Sequence, residues 1–419
     1  GDKALVRLVA AGDVALGNRV QRFAEDRGFE ELLKQVKPLF QSADLRITNL
    51  EAALTNESER QVLHGAALRA SPKMIEALRY LDVNVVTLAN NHCLDFGQRA
   101  LAECIELLTR ERIKVTGIVR SGLQQQSITC AVNGIEIGFL SYCDEYPVRL
   151  ATDLCPASFD VQKASAKIQE LKASSQTVIV QLHWGYEFSL YPLHSHVRWA
   201  RQLIDAGADV VLCHHAHVPM GVELWSGKLI AYGLGNFIFD TGGYQESAHP
   251  WTNRGLVLKI DIGEQGFIGA DLIPVKICGD GSVSILENVE KAQFLGAMAV
   301  LSKRLTHSSF LVENERRRTL YEFANFLRHF VNLEDPKQVF DRVWFLGSPR
   351  QKAMLQGLES LNCRAASQLA GTLRDLSLTV ASERSAWEAF SSVKNKLKHL
   401  LLELDSQLRI PTDLSGRTP

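Results

Sequence analysis

The chain has 419 residues, 46% hydrophobic and 22% charged, an ordinary globular balance long enough for one large core and a second unit. Its 46 basic and 47 acidic residues leave a formal net charge of -1, which excludes a global field that would draw it to nucleic acid or to an anionic membrane. No apolar run of about 18 residues marks a membrane helix or leader within the sequence, although the chain does not begin with Met and a trimmed leader or anchor is left open. The eight cysteines, Cys93, Cys104, Cys130, Cys143, Cys155, Cys213, Cys278 and Cys363, are scattered and show no CxxC spacing. That pattern favours reduced, buried thiols and a cytoplasmic setting.

In chain order, residues 4–11 become wholly apolar, as a strand buried on both faces would. The strand stops at Gly12-Asp13. A carboxylate just past a buried strand is a common ligand position, and a turn or helix cap is the alternative. Residues 30–41 read as a helix. A second strand, 45–48, ends in Asn49-Leu50-Glu51. A helix over 72–81 precedes a third strand, 83–89, which runs into Asn90-Asn91-His92-Cys93-Leu94-Asp95, the most polar strand exit in the chain. A helix over 98–112 and a short strand, 114–118, follow. Asn133-Gly134 between strands 127–132 and 135–142 is a hairpin signal. A helix over 163–174 leads to a buried strand, 177–182, which ends in His183-Trp184-Gly185-Tyr186-Glu187. A helix over 197–206 precedes an apolar run, 210–213, that stops at His214, His215 and His217. The run 229–232 then delivers Gly233, Gly235 and Asn236. Segments 255–262 and 267–277 read as an antiparallel pair.

Strands alternating with helices, then hairpins, predict an α/β fold: a layered αββα sandwich of mixed sheets. From about residue 288 glycine becomes scarce and helical periodicity takes over, with Phe323, Phe326, Leu327 and Phe330 on one face and Trp387, Phe390, Val393, Leu397, Leu400, Leu401 and Leu404 on another. This sets a boundary between a domain over 1–287 and a C-terminal helical region over 288–419, used for packing or for self-association as a homo-oligomer.

Five strand ends carry metal-capable groups, where open α/β sheets gather their ligands. A two-metal hydrolytic site needs a bridging carboxylate, neutral nitrogen or amide-oxygen donors and room for water. The candidates are Asp13, Glu51, Asn91, His183, His215 and His217, and oxygen and nitrogen donors without thiolate suit one or two ions of Mn, Fe or Zn. His215 and His217 alternate, so on an extended segment they face one side and His214 faces the other. His92, with Asp95 three residues on, is arranged as a general acid oriented by a carboxylate; a loop histidine capped by Asp95 is the alternative. Asn49 sits where a ligand strand stops. His194 and His196, in the loop after the fourth ligand strand, are candidate substrate contacts.

At these residues the sequence resembles the CapA family of bacterial capsule and poly-γ-glutamate synthesis, itself similar in fold to calcineurin-like metallophosphoesterases. The matching segments are GDVALG (12–17), NLEAAL (49–54), LANNHCLDFG (88–97), HWGYEF (183–188), LIDAGADVVLCHHAHVPMGVE (203–223) and IAYGLGNFIFD (230–240). The resemblance implies one ion on Asp13, Glu51 and His217 and another on Glu51, Asn91, His183 and His215, with His92 as general acid. Glu187 and Asn236 would line the site behind the ligands. Four departures stand out: Ala15 where the phosphoesterases carry a histidine, Cys213 and Ala216 around the last histidines, His196 for a glutamine, and Gly233 for a serine. The expected function is metal-dependent hydrolysis, by a metal-activated water, of a phosphoester or of an amide such as a γ-glutamyl linkage in a small-molecule or polymer substrate. The alternative is a non-catalytic polymer-binding or assembly component of capsule biosynthesis or export.

Overall fold

A computed structural model describes residues 5–61, 66–120, 123, 125–144, 153–242, 245, 248–346, 355, 364–378 and 382–408. The chain divides into two compact units, Gly1–Leu311 and Val312–Pro419. The first is the layered αββα sandwich expected from the alternation of strands and helices.

Its larger sheet runs Val283–Ile285, Gly266–Ile277, Arg254–Gly263, Leu5–Val14, Leu45–Leu50, Val85–Thr87 and Lys114–Thr116, with Asn236–Ile238 also paired to Leu5–Val14. The sheet is mixed: Leu5–Val14 is parallel to Leu45–Leu50 and antiparallel to Arg254–Gly263. The second sheet runs Val222–Trp225, Lys228–Ala231, Val210–His214, Thr177–His183, Ile135–Cys143 and Ile128–Val132. Its four central strands are parallel and its two edges antiparallel. Asn133 (φ 50°) and Gly134 (φ 80°) both lie in the left-handed region, as the tight turn joining Ile128–Val132 to Ile135–Cys143 requires.

The two-residue period of Leu5–Val14 sorts its side chains. Val6, Leu8 and Ala10 enter the layer between the sheets with Phe139, Ile179 and Leu212 of the second sheet. Val9 and Ala11 face outward against Phe40, Leu78 and Leu101 of the covering helices. On the far side, Val178, Val180 and Val211 meet Ile168 and Leu203 of the helices Val161–Lys172 and His194–Asp205. Every central strand is therefore buried on both faces, which is why these segments read as continuous apolar runs.

Several elements differ from the periodicity reading. The helix expected over 30–41 is two short ones, Phe29–Leu33 and Lys37–Gln41, because Pro38 has no N–H to continue the first and suits the start of the second. A helix, Asn18–Arg27, forms where none was expected; only Val20 and Ala24 of it are buried, too narrow a stripe to show in the sequence. The helix expected from residue 197 begins at His194, so His194 and His196 are helical.

The helix Asn288–Arg304 packs Phe294, Met298 and Leu301 into the inter-sheet layer and so counts with the first unit. The boundary between units falls at Leu311, downstream of the change in composition. The second unit has its own helical core. Phe323, Leu327 and Phe330 pack with Val339, Val343, Leu369, Leu373, Phe390 and Leu397, and Phe326, Trp387 and Val393 pack against them partly buried, so these residues of the aromatic stripes face a core. The Leu404 side chain and Cys363 lie outside the described residues. Among the described residues no helix is long and apolar enough to cross a membrane, and Cys93, Cys104, Cys130, Cys213 and Cys278 are free thiols.

Candidate metal centre

The site forms where the carboxyl ends of parallel strands from both sheets meet. Asp13 is in register with Asn49 on one side and Asn236 on the other, and His183 is in register with His214. Glycine makes the first alignment achievable. A Cβ at Gly12 would lie 2.0 Å from the Gly235 carbonyl oxygen, and the Asp13 N–H donates to that same oxygen at 2.9 Å.

Two groups of buried donors result. Glu51, His183 and His215 offer atoms within 4.8 Å of one another, as do Asp13, Glu51 and His217. Glu51 belongs to both. Its Oε1 is 3.6 Å from His183 Nε2 and 3.6 Å from His217 Nε2, too far for hydrogen bonds. That spacing suits donors each roughly 2 Å from a shared ion. Neither Glu51 oxygen has a hydrogen-bond partner among the described residues, although the side chain is fully buried. Such a carboxylate is costly unless a cation compensates it.

His183 Nε2 makes the same point from the nitrogen side. It is 2.7 Å from Asn91 Oδ1 and 3.1 Å from His215 Nδ1, besides Glu51. One ring nitrogen carries either one proton or one lone pair and cannot satisfy all three. A divalent cation among them would, so the residues present fit a metal.

Charge at the site follows from burial. Burial, then repulsion from Asp13, Glu187 and Asp95, pushes the Glu51 carboxyl well above the usual carboxylate range. Asp13 goes the other way. Burial opposes ionisation, but the hydrogen bond and charge of His214, with His217 and Asn49, hold it below the usual range. For His183, burial and then the neighbouring His215, His214, His217 and His92 push the imidazole well below its ordinary value, leaving it a neutral donor.

Amide side chains fix these groups. Asn49 Nδ2 donates to Asp13 Oδ1 at 2.9 Å and lies 3.3 Å from His183 Nδ1. Asn236 Nδ2 donates to Gln245 Oε1 and to the Thr252 carbonyl, which turns its Oδ1 to His217 Nδ1 at 2.9 Å and leaves Nε2 facing Glu51. Sequence reasoning missed Asn90, which is fully buried. It donates to Asn49 Oδ1 and the Leu50 carbonyl and accepts from the His92 N–H. Its place in the Asn-Asn-His run was the available signal.

His92 Nδ1 is 2.7 Å from Asp95 Oδ2, and that oxygen also accepts the Leu68 N–H at 2.6 Å. The His92 side chain is 11% exposed and that of Asp95 is 0%, so the ring is held from behind with an edge left to solvent. Glu187 is half-buried and acts on Glu51 through its charge. His196 is placed differently from the metal-ligating residues. Its ring stacks on Trp184 at 4.2 Å and 9°.

The histidine run corrects one inference. The strand ends at His214, and His215 (φ 86°) and His217 (φ 56°) have left-handed backbone. They reach the site through a tight turn rather than by alternation along a strand. His214 points inward too, with Nδ1 2.9 Å from Asp13 Oδ1. Strained backbone at two donors is typical of functional positions held by their surroundings.

Fold and site together define a class: a layered α/β protein with two overlapping sets of buried metal-capable donors at its strand ends. Residues 7–241 match the bacterial capsule synthesis protein family PGA_cap, and the chain belongs to that family, as the six motifs implied. It is 28% identical over 239 residues to the PGA biosynthesis protein CapA of Bacillus subtilis, covering 55% of this chain and 62% of that one. It is 24% identical over 283 residues to the capsule biosynthesis protein CapA of Bacillus anthracis, covering 64% and 67%. A probable polyglutamine synthesis accessory protein of Mycobacterium tuberculosis is 30% identical over 219 residues, covering 48% and 57%. The chain thus spans less than two thirds of the length of the first of these relatives. Among solved structures, a 5'-nucleotidase from Candida albicans overlaps with TM-score 0.40 at 13% identity, covering 75% of this chain and 58% of that one. A hypothetical protein from Thermus thermophilus overlaps with TM-score 0.42 at 17% identity, covering 64% and 99%.

Proposed function

We propose that the chain is a metal-dependent hydrolase that cleaves an amide linkage of the γ-glutamyl type. One observation carries the hydrolytic part: Glu51, buried with both oxygens unpartnered, is common to two donor groups. The family and the relatives' names, which refer to capsule, PGA and polyglutamine synthesis, direct the substrate class.

Ions of Mn, Fe or Zn held by Glu51, Asn91, His183 and His215, and by Asp13, Glu51 and His217, would supply Lewis acidity and an acidified water. The chain's own residues do the rest. Asn49 and His214 hold the Asp13 carboxylate ionised and oriented. Asn236 fixes the His217 tautomer through Nδ1. Asp95 takes the Nδ1 proton of His92 in a hydrogen bond, so that in the imidazolium form Nε2 carries the proton a departing amine nitrogen needs. The free thiols of Cys93, Cys104, Cys130, Cys213 and Cys278 favour a reducing, cytoplasmic setting.

One observation favours the alternative role, non-catalytic polymer binding or assembly. Residue 15 is alanine and sits in an apolar cluster, which leaves the Asp13–Glu51–His217 group with three imidazole or carboxylate donors among the described residues. The test is to strip the protein with chelator and reload it with Mn, Fe or Zn. It is then assayed on γ-glutamyl oligopeptides and on p-nitrophenyl phosphate. Metal-dependent release of glutamate, lost in His92→Ala, is the expected result. Turnover of the phosphate ester alone would replace amide by phosphoester chemistry. Full metal loading with turnover of neither would overturn the catalytic reading.

A further inference from the structure

Beside the metal-capable donors lies a small pocket with an apolar floor and a charged rim. Ala15, Ala52, Leu68 and Phe239 make the floor; Arg69 and Asp240 stand at the rim. Each floor residue abuts the site. Ala15 is two residues from Asp13 and Ala52 follows Glu51. Phe239 lies 4.9 Å from the His217 ring. Leu68 gives its N–H to Asp95, the carboxylate that holds His92. The pocket has room because residue 15 is alanine; an imidazole there would occupy it.

Among the described residues the rim carries one uncompensated charge. Asp240 is neutralised by Arg19, with Nε to Oδ1 at 2.6 Å. Among the described residues Arg69 has no carboxylate partner. Its Nη1 donates to the Glu57 carbonyl at 2.5 Å and, at 3.5 Å, to that of Asn56. The guanidinium carbon lies 5.2 Å from the centre of the Phe96 ring. Nε and Nη2 bond to no described residue, so one edge of the fork is left to donate. The residue is also fixed in place. Arg69 is in parallel register with Ala53, two residues beyond Glu51, and its carbonyl oxygen sits where a Cβ on Gly17 would be, 2.2 Å away. The chain section that carries Glu51 therefore sets the position of Arg69.

We infer that this pocket is a substrate subsite that takes a short aliphatic stem ending in a carboxylate. The methylenes would lie on Ala15, Ala52, Leu68 and Phe239, and the carboxylate would pair with Arg69. A lone guanidinium edge above an apolar floor suits a monoanionic carboxylate. Among the described lining residues the rim offers one guanidinium edge and the Asn18 amide, a donor set that suits a monoanion better than a phosphoryl dianion. The assignment deepens the proposed function, since a γ-linked glutamyl unit has such a stem and such a carboxylate, but its test does not depend on turnover.

The test is equilibrium binding to the chelator-treated full chain, measured calorimetrically. The probes are a γ-glutamyl tetrapeptide, the same peptide with its carboxylates converted to carboxamides, and phenyl phosphate. The expected result is that the wild type prefers the free acid to the carboxamide by about two- to fivefold, the size of one ion pair to the exposed Arg69. Arg69→Ala should abolish the preference and Arg69→Lys should keep part of it. Ala15→Leu, which fills the floor, should weaken both peptides. Equal binding of the two peptides by the wild type, or an undiminished preference in Arg69→Ala, overturns the subsite. Tightest binding of phenyl phosphate, with the same dependence on Arg69, overturns its assignment to carboxylate. Failure of hydrolysis leaves these readouts intact, and loss of the preference leaves hydrolysis measurable, so the two failures are distinguishable.

Discussion

Replacing Glu51 by glutamine tests the centre at its weakest point. The substitution keeps the shape of the side chain and removes the charge shared by both donor groups, whereas His215→Ala and His217→Ala each touch one group. At free ion near one hundred times Kd, each occupied site stabilises the folded protein by about 2.7 kcal/mol. For a unit of this size about 2 °C of Tm per kcal/mol applies, so each site is worth roughly 5 °C. Wild type should gain on the order of 10 °C when both sites fill. Each histidine variant should gain about half of that, and Glu51→Gln close to none.

Without metal the order should invert. The Glu51 carboxyl lies well above the usual range because of burial and the neighbouring Asp13, Glu187 and Asp95. The folded protein therefore holds this proton where the unfolded chain has lost it. The resulting stability is complete below the ordinary glutamate range and is lost as pH rises through the raised folded value. Metal-free Glu51→Gln lacks that loss and should melt above metal-free wild type at neutral pH. Differential scanning fluorimetry with and without chelator, together with metal content by mass spectrometry, reads both effects. A Glu51→Gln protein that binds as much metal as wild type, with the same thermal gain, would refute the shared-carboxylate geometry.

Three further outcomes follow from the same geometry. His92→Ala should lower kcat by about two to four orders of magnitude while leaving metal content unchanged, since His92 is absent from both donor groups; steady-state kinetics and metal analysis check this together. Ion binding should release a proton from Glu51 and tighten as pH rises, whereas His183, held neutral by burial and its histidine neighbours, should not compete; calorimetry in buffers of different ionisation enthalpy counts the protons. Gly12→Ala places a Cβ 2.0 Å from the Gly235 oxygen and should cost about 1 to 3 kcal/mol while shifting Asp13 enough to lower metal content, seen in Tm and stoichiometry.

The strand ends were legible because burial on both faces leaves a plain signature: an apolar run of strand length that stops at a polar side chain. Asp13, Glu51, Asn91, His183, His215 and His217 were all found that way, and the structure brings them together. The Asn133-Gly134 turn was legible because its backbone conformation needs those residue types. The facing of His214 was misjudged for a definable reason. The rule that alternate residues share a face holds only while the backbone is extended, and here it leaves the extended region at His215. Pro38 shortened a helix that apolar spacing alone would have continued. The helix Asn288–Arg304 resembles its successors in composition, yet Phe294 and Met298 belong to the inter-sheet layer; composition does not say which core a helix joins.

By itself the sequence determined the architecture, the family and the kinds of donor atoms, because strand burial, turn chemistry and motif order are written in local pattern. Only the tertiary structure decided how the donors are braced and what lies beside them. That Asn90 and His214 brace them, and that Ala15 opens a pocket under Arg69, depend on the register between strands and on the spacing of two sheets across their common core. Those distances join residues up to two hundred positions apart, and no local pattern encodes them.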